Sequence, residues 1–134
     1  MGVKCIMDTK LIQQTIRLLI NSCDKVVITA GSEFNWKKRK NNKVIASIEE
    51  QSAIQEMSVL LSVAWDEESQ GWLDNWPRLY INLLEDSKLT YSIGVVNRAT
   101  IMVSDLDDVL NIVEYEKFGE FLEALGANPN KIYA

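Results

Sequence analysis

Two runs of carboxylates are the groups in this sequence with the most chemical potential: Asp66-Glu67-Glu68 and Asp105-Leu106-Asp107-Asp108. Paired carboxylates can share a proton for acid–base work or gather around a magnesium ion. Both runs sit beside turns at the ends of predicted elements, where acids are expected from solvation and the helix dipole alone. The expectation is that they face solvent or a partner. Histidine is absent from all 134 residues. Its absence removes His triads, His–carboxylate relays and His metal ligands together. Lysine-, tyrosine- and carboxylate-based chemistry stays open. No GxxxxGK[ST], GxGxxG or GxSxG pattern occurs, so no loop is predicted to cradle a phosphate. The sequence therefore predicts no catalytic residue, no metal site and no cofactor.

Trp72-Leu73-Asp74-Asn75-Trp76 places two indoles four residues apart in a polar stretch. Tryptophan concentrates binding energy at interfaces because it joins a large area to few rotors. The competing expectation is that one or both rings close over the core. With Asp66, Glu67, Glu68 and Asp74, the segment reads as an acidic-aromatic patch suited to a basic cleft on another protein. Lys37-Lys38-Arg39-Lys40 is a basic run. It reads first as a solvated loop that also guards a strand edge. It lacks the aromatic platforms of a single-strand nucleic-acid binder.

Charge is unevenly distributed. Residues 1–43 hold nine Lys/Arg and three Asp/Glu, a balance of +6; residues 44–134 hold five and sixteen, a balance of −11. The net charge of −5 argues against a general nucleic-acid binder, which needs a basic face. An acidic body suits a basic protein partner. With 47% hydrophobic and 25% charged residues, the chain has the composition of a globular domain, and 1–134 is read as one. No apolar run approaches membrane-spanning length and no secretory leader opens the sequence, so the expected compartment is the cytoplasm, away from the membrane. Cys5 and Cys23 are expected as thiols in that reducing compartment, Cys5 outside the first helix and Cys23 at its end.

The elements that must position these groups follow from periodicity. Leu11, Ile12, Thr15, Ile16, Leu18, Leu19 and Cys23 mark a helix from Asp8 or Thr9, either a good cap, to Ser22. Val26–Ala30 reads as a buried strand, extendable through Phe34 and Trp36, with Val44–Ala46 a short returning strand. Ser47-Ile48-Glu49-Glu50 has the pattern of a capping box. Ala53, Ile54, Met57, Leu60, Leu61, Ala64 and Trp65 then form one stripe of a helix over 48–65. Leu79–Leu84, Leu89–Val96 and Thr100–Val103 alternate as a three-strand meander, joined by turns at Glu85–Lys88 and Asn97–Ala99. Val109–Val113 fits helix or strand. Phe118, Phe121, Leu122 and Leu125 mark a last helix, closed by Gly126 and Pro129. The predicted class is α+β: a single antiparallel sheet, made of the meander plus an N-terminal strand or hairpin, with helices packed on one face.

From Pro77 to Gly126, the strands Arg78-Leu79-Tyr80-Ile81-Asn82 and Leu89-Thr90-Tyr91-Ser92-Ile93-Gly94 are followed by the helix end Phe121-Leu122-Glu123-Ala124-Leu125-Gly126. This order of elements resembles small bacterial immunity proteins, which accompany polymorphic toxins, including those of contact-dependent growth inhibition. The resemblance implies a cytoplasmic protein that blocks a cognate toxin domain, often a nuclease, by covering its active site or substrate surface. Under that reading the expected partner-binding residues are Asp66, Glu67, Glu68, Trp72, Asp74, Trp76, Asp105, Asp107 and Asp108. The alternative is an oligomeric adaptor or chaperone-type module that pairs through the helix over 48–65 or the meander edge. Monomer and homodimer are both compatible with the sequence.

Overall fold

Alternation of apolar and polar residues builds the centre of the molecule. The computed structural model describes residues 2–30, 43–65, 78–97, 100–103 and 108–128. Their elements run α1 (Gly2–Ser22), β1 (Lys25–Ala30), β2 (Val44–Ile48), α2 (Gln51–Leu60), β3 (Val63–Trp65), β4 (Leu79–Glu85), β5 (Lys88–Asn97), β6 (Thr100–Val103), β7 (Asp108–Ile112) and α3 (Tyr115–Ala124). The seven strands form one sheet in the order β2-β1-β4-β5-β6-β7-β3, antiparallel at every pairing. The predicted α+β class is what the structure shows. The sheet is larger than the expected meander with an N-terminal strand or hairpin, because β3 and β7 extend it.

Register puts one apolar row after another on a single face. Ile28 pairs with Ile81 and Ile81 with Ile93, all fully buried. Val26, Leu79, Leu83, Val95, Ile101, Leu110 and Ile112 complete that face. Ile12, Ile16 and Ile20 of α1, Ile54 and Met57 of α2, and Phe118 and Leu122 of α3 pack into the same cluster. Each such side chain contributes about 1.5–3 kcal/mol by leaving water. The three described helices thus cover one face, as expected.

Several boundaries differ from the sequence reading. Helix α1 starts well before Asp8 and Thr9, so neither is its cap, and Cys5 lies inside it. Its buried line is Ile12, Ile16 and Ile20, while Leu11, Thr15 and Leu18 face solvent. Ser47 belongs to β2, opposite Val27, so no capping box forms. The cap of α2 is Glu50, without a side-chain hydrogen bond. That helix ends at Leu60, and Ala64 and Trp65 of the expected stripe belong to β3. The ambiguous segment Val109–Val113 resolves as β7, which starts at Asp108. At the β4–β5 turn Asp86 and Ser87 both take positive φ, 52° and 67°, as a tight two-residue hairpin turn requires. The expected extension through Phe34 and Trp36, the run Lys37–Lys40, the central residues of the Asn97–Ala99 turn and Pro129 lie outside the described residues.

Candidate functional site

Two of the predicted acidic segments join the sheet at one corner. β3 runs antiparallel to β7, with Trp65 opposite Leu110. Asp108 is two residues from Leu110 and opens β7. The exit of β3 at Trp65 therefore points toward the end of β7 that Asp108 begins. The segments carrying Asp66-Glu67-Glu68 and Asp105-Asp107-Asp108, far apart in sequence, both join the described chain there. Asp66, Glu67, Glu68, Trp72, Asp74, Trp76, Asp105 and Asp107 lie outside the described residues. Asp108 is described by its backbone, paired with Val103 of β6.

From the other end of β7, α3 follows and presents further acids. Glu116, Glu120 and Glu123 follow one another at helical spacings of four and three and are all exposed. The exposed Val113, Glu114 and Tyr115 precede them. Lys117 meets Glu114 at 3.8 Å, an exposed pair that contributes little to stability. The described surface beyond β7 is thus anionic with apolar groups interspersed.

The sheet face opposite the helices has a polar centre that sequence reasoning missed. Asn82 Nδ2 donates to Val27 O at 2.9 Å and to Thr29 Oγ1 at 3.0 Å. Its Oδ1 accepts from Ser92 Oγ at 2.7 Å. A carbonyl can only accept, so Val27 fixes which end of the amide faces β1. One side chain ties β1, β4 and β5 together, and Thr29 and Ser92 are buried beside it. The signal available in the sequence was an asparagine between Ile81 and Leu83, inside an otherwise apolar strand. Val96 and Met102 form a small separate apolar cluster on this face.

Cys23 is buried and unbridged, and its Sγ donates to Ile20 O at 3.0 Å. Burial pushes the thiol above its ordinary range, and the neighbouring Asp24 adds to the effect. A thiol held protonated is a poor nucleophile. Among the described residues, no group of three or more Cys, Asp or Glu side chains is arranged to hold a metal ion. No described helix is long and apolar enough to cross a membrane. Compared with family models, curated proteins and solved structures, the chain matches none.

Proposed function

We propose that this chain binds and neutralises a basic bacterial toxin domain, a nuclease being the class that fits best, by covering its active site or substrate surface. The reading makes it a cytoplasmic immunity protein that acts by stoichiometric binding, without chemistry of its own. The observation that carries it is the placement of acids: two acidic segments attach at the β3–β7 corner, and α3, which follows from the other end of β7, exposes further acids. Residues 44–134 as a whole have a balance of −11. A nuclease must present a cationic surface to its phosphodiester substrate, and an acidic body competes for that surface. Long-range attraction speeds encounter, and Trp72 and Trp76 supply the desolvated anchors that slow release.

The test is to purify this chain with the protein encoded by the adjacent reading frame and to follow their association by stopped flow. The account expects a one-to-one complex whose association rate falls steeply with added salt. Replacing Asp66, Glu67 and Glu68 together by lysine should slow association roughly tenfold or more at low ionic strength. A rate indifferent to salt and to these replacements would remove the electrostatic basis of the proposal.

A further inference from the structure

Helix α1 carries two apolar lines on opposite sides. Ile12, Ile16 and Ile20 are buried in the core. Leu11 and Leu18 turn away from it and are 59% and 68% exposed, Leu18 being the most exposed large apolar side chain among the described residues. Gln14 stands between the two leucines and is exposed. Spacings of three and four set Leu11, Gln14 and Leu18 in one outward line, as the a and d positions of a coiled-coil helix are set. Lys10 and Arg17, each one residue before a leucine, are exposed along one flank of that line, in the g positions of the same heptads. Thr15 and Ser22 on the other flank are exposed and uncharged. No Asp or Glu occurs between Thr9 and Cys23. Among the described residues neither cation pairs with a carboxylate. Arg17 Nη2 donates to Ser62 Oγ at 3.2 Å, a neutral partner.

We propose that this line docks an acidic amphipathic helix of a partner protein. The partner's apolar seam covers Leu11 and Leu18, and two of its carboxylates, seven residues apart, meet Lys10 and Arg17. Charge decides between occupants. A second copy of α1 brings the same cations and no acid between Thr9 and Cys23. An anionic bilayer would attract the two cations but repel the body behind them. Residues 1–23 hold three Lys/Arg and one Asp, a balance of +2, so with a net charge of −5 residues 24–134 carry −7. An acidic helix satisfies the cations locally and brings no extended negative surface. The proposal stands apart from the toxin reading, whose basic partner this cationic line would repel.

The experiment titrates the full chain into a fluorescein-labelled synthetic helix of about three heptads, with Leu at a and d and Glu at e and g, followed by fluorescence anisotropy. A second peptide carries Lys in place of every Glu. The Glu peptide should bind and the Lys peptide should not. Lys10→Glu with Arg17→Glu should weaken the Glu peptide roughly tenfold and admit the Lys peptide. Lys10→Glu alone, which leaves the Arg17–Ser62 contact in place, should show part of the same shift. Leu11→Asn with Leu18→Asn should abolish binding; both side chains are exposed, and circular dichroism confirms that each variant folds. No binding of the Glu peptide, equal binding of both peptides, or binding indifferent to charge reversal overturns the proposal. Mass doubling of the chain alone that Leu18→Asn reverses, or attachment to phosphatidylserine vesicles through Leu11 and Leu18, assigns the line to another occupant and overturns it as well.

Discussion

Asn82 is the residue whose loss the sheet should feel most on the face opposite the described helices. Asn82→Ala takes the donor from Val27 O and Thr29 Oγ1 and removes an acceptor from Ser92. Buried polar groups that lose partners cost about 1–3 kcal/mol, so urea denaturation should show a lower midpoint of that size at unchanged slope. An unchanged midpoint would mean that water replaces the amide at no cost. Cys23 gives a prediction in pH. Its thiol is raised in the folded chain, so folding favours the protonated form. That contribution is complete below the ordinary thiol range and is lost as pH climbs through the raised value. Stability should therefore decline on the alkaline side, and the decline should shrink in Cys23→Ala. Alkylation of Cys23 at neutral pH should require unfolding. Labelling at the rate of a free thiol in the native chain would show that the group is accessible.

At the level of elements, the end of α3 is the most explicit local design. Gly126 takes φ 89°, its N–H donates to Glu123 O at 2.9 Å, and Ala127 N donates to Leu122 O at 2.9 Å. These are the two reversed bonds of a Schellman motif, with Leu122 and Ala127 both buried to complete it. Nothing lies near a Cβ built on Gly126, so Gly126→Ala should lose only backbone energy, about 1 kcal/mol in thermal unfolding. This terminus was legible in the sequence because its chemistry is local. So were β4, β5 and β6, whose alternation needs only neighbouring residues to be read. The centre of the helix expected over 48–65 was legible too, but its two ends were not. Ser47-x-x-Glu50 satisfies a helix cap locally, yet Val26 and Val27 of β1 recruit Ile48 and Ser47 into the sheet. Ala64 and Trp65 fit a helical stripe, but partners in β7 decide their conformation. Pairing with distant strands overrides local propensity, and a three-residue strand has too few positions to show its own period. Leu11 and Leu18 misled for a related reason: spacing identifies a stripe, but packing against α2 and β3 decides which stripe turns inward.

For the whole molecule, the carboxylates that suggested a contact surface were legible as composition, whereas their common point of attachment was not. Only the sheet order, with β3 added beside β7, brings Trp65 and Asp108 to one corner. The polar centre at Asn82 was equally out of reach, since its members come from three strands. The proposed role, a surface that acts by occupying another surface, rests on the placement of charge. The most direct test is growth. The protein encoded by the adjacent reading frame is expressed alone and then with this chain, beside a version bearing lysine at positions 66, 67, 68 and 108. The account predicts that the neighbour arrests growth alone, that the natural chain restores it, and that the charge-reversed chain restores it poorly at matched abundance. A harmless neighbour, or arrest that the natural chain leaves untouched, would contradict it.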